Sequence, residues 1–332
     1  MSDFDNRFVA LEKESTYGTT PGVAWTFGEV DDESIRHQYD LLTRDDMSRY
    51  GAAKSVTGKE YTEGDVNLAA MNDDFTALLM LGITGANTAS GVSPVQHTFT
   101  ESGTMPSFSM LVGREDKEHT YTGMVVNSLS VSASLNEYAT ISASFMGQSE
   151  DIASLAAVGT TTPSFPDSLP ALYFSNAQVF FDGGSTASNA VKSISFDINL
   201  NRDGDNACGL GSTTYIRAPP VQRREISGTI EFNEVVHTDT VGEPTYTELT
   251  TEDGLEFNPG SGGAALKVVF GDDTTAELLS FTFYKIRFEA PEANVSGRDT
   301  NTMSVGFVAL VDAGDTDKMM DINVFNSTAG TY

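Results

Sequence analysis

The side chains best able to do chemistry here are four histidines, one cysteine and a large excess of carboxylates. His37, His97, His119 and His237 are scattered, and no two stand at the i, i+4 spacing that offers a metal two imidazoles from one helix. Cys208 is alone, which excludes an intrachain disulfide and a four-cysteine zinc site. As a nucleophile it needs a histidine delivered by the fold, and its setting, Asn206-Ala207-Cys208-Gly209, reads as a turn. No Gly-x-Ser-x-Gly elbow and no Gly-x-x-x-x-Gly-Lys-Ser/Thr phosphate loop occurs. Gly260-Ser261-Gly262-Gly263 follows Asn258-Pro259 rather than a strand, which suits a flexible hairpin loop. Two acidic turns are weak cation candidates: Asp203 and Asp205 in Asn201–Asn206, and Asp272 with Asp273 after Gly271. The first resembles part of a calcium loop but lacks the bidentate glutamate at its twelfth position, so ordinary turn chemistry is the favoured reading. Adjacent pairs such as Asp31-Asp32 and Asp45-Asp46 point to opposite faces of a strand, which is poor geometry for acid–base work. Asn294-Val295-Ser296 and Asn326-Ser327-Thr328 fit the glycosylation pattern, but without a signal segment they are expected to go unused. The lone Trp25 also argues against a glycan-active hydrolase with its exposed aromatics. These residues ask for no substrate and no cofactor.

At 332 residues the chain can bury a large core, and a hydrophobic fraction of 39% favours a globular over a disordered state. Its net charge is −28, from 47 acidic against 19 basic residues. Sequence-independent DNA binding needs lysine and arginine to displace counterions, so this chain repels DNA. Such charge also strains a compact state unless salt screens it. With eight lysines against eleven arginines, the acidic, lysine-poor composition suggests a protein of very salty water, from a salt-loving host. The longest apolar stretches, such as Phe75–Gly82, are too short to span a bilayer. The opening residues have no basic region followed by an apolar run, which predicts retention in the cytoplasm where the chain is made.

Period-two alternation dominates the elements that must position these residues. Ile35, His37, Tyr39 and Leu41 alternate with polar residues, as do Leu129, Val131 and Ala133. After a turn at Leu135-Asn136-Glu137, Ile141, Ala143 and Phe145 continue the pattern, which predicts a long hairpin with serines on its other face. One helix is expected, capped by Asn72, with Asp73 and Asp74 in its first turn and Gly82 as its stop. The second half echoes the first. Glu33–Leu42 matches Lys192–Leu200, Glu63–Leu68 matches Ser227–Phe232, Phe108–Gly113 matches Leu266–Gly271, and the strand ending at Phe145 matches that through Met303, Val305 and Phe307. The offsets are 159, 164, 158 and 162 residues, in unbroken order, so a duplication is the better reading. The chain then divides into an extended arm (1–28), a first domain (29–150), a Pro- and Thr-rich linker (151–172), a second domain (173–312) and a tail (313–332). A second helix is only faintly signalled, around Tyr246–Leu255.

Several segments resemble the tail tube proteins of siphoviruses. They are Glu14-Ser15-Thr16-Tyr17-Gly18-Thr19-Thr20-Pro21, the run from Tyr121 to Ala133 with Phe145-Met146-Gly147, and the run from Arg223 to Phe232. The resemblance implies a mainly β fold of two tandem tail-tube-type sandwich or barrel domains, each with a short flanking helix. It implies one sheet of each domain closing into a ring of six domains, here three chains, and rings stacked into the conduit for viral DNA. The implied partners are further copies of the chain, the tail terminator, the tape measure and the tail tip, with DNA passing unbound and no membrane involved. The implied place is the virion tail, after assembly in the host cytoplasm. The arm, linker and tail would serve contacts between rings, and Asp40, Glu137, Asp197, Glu231 and Glu289 are candidates for an acidic lumen. The rival reading is a capsid decoration protein or an adhesin built from two sandwiches.

Overall fold

Alternating small or β-branched and polar residues give strands half-buried on one face, and a computed structural model shows twenty-one of them among the residues it describes. It describes residues 7–21, 25–45, 47–48, 50–51, 54–92, 94–154, 163–165, 171–238, 241–251, 256–259, 263–271, 279–293, 301–313 and 317–332. The first half holds β1 (Phe8–Lys13), β2 (Thr26–Gly28), β3 (Val30–Glu33), β4 (Arg36–Arg44) and β5 (Lys54–Ala69), then helix α1 (Asp74–Thr84). There follow β6 (Gly85–Ser90), β7 (Val95–Glu101), β8 (Phe108–Arg114), β9 (Lys117–Ser134), β10 (Thr140–Gly147) and β11 (Ser149–Ser154). The second half holds β12 (Ala177–Phe181), β13 (Val191–Asn199), β14 (Glu225–Phe232), helix α2 (Tyr246–Leu249) and β15 (Glu256–Phe257). It ends with β16 (Leu266–Phe270), β17 (Leu279–Phe283), β18 (Lys285–Phe288), β19 (Glu292–Ala293), β20 (Met303–Leu310) and β21 (Met320–Asn326).

Nine strands lie side by side in the order β15-β18-β20-β14-β13-β9-β10-β5-β3, all antiparallel. The two halves of the chain meet inside this sheet, where β9 pairs with β13 from Ser134↔Ser193 to Ser128↔Asn199. The amino-terminal part of β9 crosses into a second layer, pairing with β8 and β11, and β8 pairs in turn with β1. In the second half the corresponding layer is β12-β16-β17-β21, extended by β7 and β6. Aromatic rings join the layers: Phe196 of β13 meets Phe281 and Phe283 of β17 edge-on at 4.9 and 5.3 Å.

The long hairpin follows its alternation. Ile141 stands opposite Val131, Ala143 opposite Leu129, and the intervening serines lie on the more exposed face. The predicted helix starts one residue later and ends three residues later than expected: Asp73, not Asn72, is its cap, accepting from the Thr76 amide at 2.9 Å. Gly82 lies inside it, because a Cβ there would stand 2.5 Å from a Val126 methyl; the helix ends at Gly85, at φ 99°. Burial holds the Asp73 carboxyl above its ordinary pKa. The weak second helix signal corresponds to the single turn α2, closed by a Thr245–Glu248 capping box.

Four further expectations change. Residues 1–28 are not simply an extended arm, since β1 is buried between β2 and β8. Residues 313–332 are not simply a tail, because β21 is an inner strand of the six-stranded sheet, between β17 and β7. Ser149–Ser154 belongs to β11, so the first residues of the expected linker are strand. The strand expected over Glu33–Leu42 is interrupted at Ser34 and Ile35. Beyond His37 its residues Tyr39 and Leu41 are exposed rather than inward.

Candidate assembly surfaces

The nine-stranded sheet turns one face to the aromatic core and leaves the other polar. Cross-strand register aligns one residue from each strand into a row: Asp32, Asn67, Ser142, Ser130, Asp197, Ser227, Val308, Arg287 and Glu256. A parallel row reads Ser134, Ser193, Glu231, Ser304 and Glu292. Six of these fourteen residues are serines, and serine and asparagine side chains tie down carboxylates. Ser130 donates to Asp197, Asn67 Nδ2 to Asp32 at 2.7 Å, and Ser193 Oγ to Glu231 at 3.2 Å. Lys192 Nζ donates to Glu231 at 3.0 Å and lowers its pKa. Of the five lumen candidates, Asp197 and Glu231 lie on this face. Glu289 reaches it too, its carboxylate filling the space beside Gly306. Glu137 lies instead in the β9–β10 turn and Asp40 in the β4–β5 hairpin.

The strand order repeats along this sheet. From one edge, β3/β4, β5, β10 and β9 are followed by β13, β14, β20 and β18. The pairing repeats as well: Gly64↔Phe145 in one half recurs as Gly228↔Phe307 in the other. Between β10 and β9 the register slips at Ser144/Phe145. Between β20 and its partners β18 and β19 it slips between Phe307 and Ser304. Counting through β5 and β14, Glu33 (opposite Val66) corresponds to Ile194 (opposite Ile230), so the alignment of Ile35 with Ile194 moves by two residues.

A second surface is the β4–β5 hairpin, whose outer part, among the described residues, pairs only with itself, Leu41↔Thr57 to Arg44↔Lys54. It exposes Tyr39, Leu41, Leu42 and Val56, each more than half exposed, and Tyr50 near its tip. Period-two alternation read here as burial; what it lacked was any sign that the hairpin leaves the sheet.

The chemical candidates stay apart. Asp203 is consumed by its own turn, accepting from the amides of Asp205 and Asn206 at 3.0 and 3.1 Å. Those bonds and the Asn206 side chain lower its pKa. Asp205 pairs with Lys59 at 2.8 Å. Asp272 and Asp273 lie outside the described residues. Burial pushes the Cys208 thiol up, and its Sγ faces the Gly204 carbonyl at 3.6 Å. His119 meets Glu150 at 2.6 Å, and His97 meets the Thr328 carbonyl at 3.1 Å. Among the described residues no three His, Cys, Asp or Glu side chains converge on a point that would hold a metal ion. No described helix is long and apolar enough to cross a membrane.

One residue that the sequence did not single out is Arg202, buried where the halves meet. Its Nε donates to the Val126 carbonyl at 2.7 Å and its Nη1 to the Pro219 carbonyl at 2.8 Å. Burial depresses its pKa to about 10.

No curated protein matches the chain. A continuous sheet with a polar face and a repeated strand order suits a building block, and residues 5–309 match the phage tail tube proteins, the family to which this chain belongs.

Proposed function

We propose that this chain forms closed rings through its nine-stranded sheet and that the rings stack into the tube through which viral DNA leaves the capsid. The family is structural rather than enzymatic, and membership implies self-assembly into a tube within the virion tail. The carrying observation is the strand order, a unit of four read twice in the same direction. A sheet that ends on two different edges is heterologous, and heterologous contacts give closed rings or open fibres. Open edges are also a hazard that ring closure removes.

In this reading each half is one tube domain, the product of a duplication, and three chains supply six domains. The polar face, rich in serine and carboxylate, lines the channel, where DNA slides without binding. The exposed hairpin makes the contact between rings, a role the arm and the tail cannot fill entirely, because β1 and β21 are built into the sheets. Terminator, tape measure and tip proteins would meet the ends of the tube, and assembly would precede release from the host cytoplasm. The decoration-protein or adhesin reading has no observation in its favour. Negative-stain microscopy of purified protein in concentrated salt tests the proposal: hollow cylinders are expected, and dispersed single particles at high protein concentration would overturn it.

A further inference from the structure

The chain contains one junction of the kind that a ring needs, and it fixes the geometry of the missing one. At the internal junction β9 offers its free side to β13. The corresponding pair at the chain's ends is β18–β19 on one side and β3–β4 on the other. Equivalence is set by pairing: Ser130 is opposite Ser142 on β10 as Glu292 is opposite Ser304 on β20, each 162 residues further along. Likewise Asp197 is opposite Ser227 on β14 as Arg36 is opposite Glu63 on β5. Ser130 and Asp197 face each other across the internal junction and are hydrogen-bonded.

From this we infer that Glu292 of one chain stands opposite Arg36 of a second copy, a charge pair on the polar face where the internal junction has a hydroxyl and a carboxylate. The inference rests on the ring reading of the sheet. Both side chains are exposed in the single chain. Opposite charges directly across a strand pair are favourable, and like charges there are not. β15 covers only Ile286 and Arg287 of the outgoing edge, so Glu292 and Ala293 keep their outer side open among the described strands.

The incoming edge also carries a socket. Between β1, β8 and β3 lies an open groove of about 700 Å³, lined by Phe8, Val30, Asp32, Glu33, Val112 and Arg114 among others. Its internal counterpart, between β12 and β13, is flanked by Ala133, Ser134 and Leu135 of the first half and retains only about 80 Å³. The same groove is filled where a neighbouring repeat is present and open where it is not. Its occupant is therefore a second copy of this chain.

One local feature resists pairing. The Ile35 amide donates to Glu33 Oε2 at 2.9 Å, and the Ile35 carbonyl accepts from Arg114 Nη2 at 2.5 Å and from the Tyr121 hydroxyl at 3.2 Å. Docking exchanges these bonds for main-chain ones, and Pro291 withholds one donor from the incoming strand. The register is accordingly read best at Arg36, where side chains meet.

The test places cysteines at both positions, R36C with E292C, in a Cys208→Ser background. Directly opposed antiparallel residues lie within the Cα separation a disulfide accepts. Tubes assembled under reducing conditions and then oxidised should give covalent species up to three chains and none larger. The pairing R36C with E256C, whose second position lies on β15 opposite Arg287 and away from the level of Glu292, should give none. As a second measure, R36E or E292R alone should lower tube yield per folded monomer at least tenfold, and the charge-swapped double variant should restore it. R36E also faces Glu63 across β4–β5, so its monomer melting temperature is compared with that of the double variant, which carries the same intrachain change. Wild-type tubes in which the R36C/E292C chain does not link, or links no better than the R36C/E256C control, overturn this junction while leaving the tube reading intact. A wild-type chain that never polymerises overturns both.

Discussion

At the scale of residues, two glycines show how closely the strands approach. A Cβ on Gly228 would stand 2.5 Å from the Ser195 carbonyl and 2.6 Å from the Phe307 ring; one on Gly64 would meet the Ser34 carbonyl at 2.5 Å. Each glycine stands opposite a large buried phenylalanine of the neighbouring strand, Phe307 and Phe145, and the Phe307 ring covers the backbone that Gly228 exposes. Gly228→Ala should therefore cost about 1–3 kcal/mol, as overpacked cores do. Gly64→Ala should cost at least as much, since φ there is 153°. Denaturant melts of the monomer check both, and an unchanged midpoint would show that the strands part freely. Arg202→Met tests the seam between halves. Leaving the Val126 and Pro219 carbonyls without their donor should cost about 1–3 kcal/mol for each unpaired group, read in the same melts. The glycines were legible as matched positions in two similar segments, but their cause was not, because the clashing atoms come from other strands. Arg202 gave no signal at all: beside Asp203 and Asp205 it reads as part of a solvated acidic turn, and only the fold draws it inward.

At the scale of elements, the hairpin β4–β5 is the part most visibly made for contact. Exposed apolar side chains on a two-stranded ribbon have no intrachain role, and such patches mark association surfaces. Replacing Leu41, Leu42 and Val56 together by serine should leave the monomer's stability within about 0.5 kcal/mol per site, the usual range for surface changes. Tube growth should nevertheless stop at short stacks or single rings, measured by sedimentation and microscopy. Full-length tubes from this variant would remove the hairpin from the stacking contact. What could be read of the elements in advance follows from contact distance in the chain. The β9–β10 hairpin, whose partners are neighbours in sequence, was legible with its two faces from alternation, though not the register slip at Ser144/Phe145. Helix α1 was found but shifted, since Gly82 as a packing glycine is indistinguishable in sequence from a stop. The terminal strands were missed because β1 pairs with β8 and β21 with β7, at Val9↔Val112 and Asp321↔Thr100, and nothing local announces a partner so far away.

At the scale of the whole molecule, charge and symmetry decide what assembles. Subunits carrying −28 repel one another over a distance set by salt, about 10 Å at 0.1 M and about 3 Å at 1 M ionic strength. Dialysis into dilute buffer should loosen or dissolve the tubes, and light scattering that shows them intact at millimolar salt without divalent ions would end the high-salt reading. Within the proposed ring, the sheet sets the stoichiometry to be expected. Apart from β15 its path holds eight strands, an even number with every neighbour antiparallel, so one copy can follow another without breaking the alternation. A chain that placed its second half outside the ring, as a separate sandwich, would need two sheets joined only by a linker. Instead β13 continues the sheet of β9 through seven residue pairs, from Ser193 to Asn199. Two repeats thus already stand side by side as neighbours in a ring would. Three chains are then expected around the axis, with true threefold and approximate sixfold symmetry, and with internal junctions alternating with those between chains. The repeats differ enough to be told apart in projection: α1 has eleven residues and α2 four, and among the described residues the long exposed hairpin belongs to the first half. Rotational analysis of tubes viewed end-on should therefore show a threefold component beside the sixfold one, and mass per unit length should give three chains per ring. Six equivalent chains around the axis would refute the arrangement, because twelve repeats would then have to share one sheet or six of them leave it.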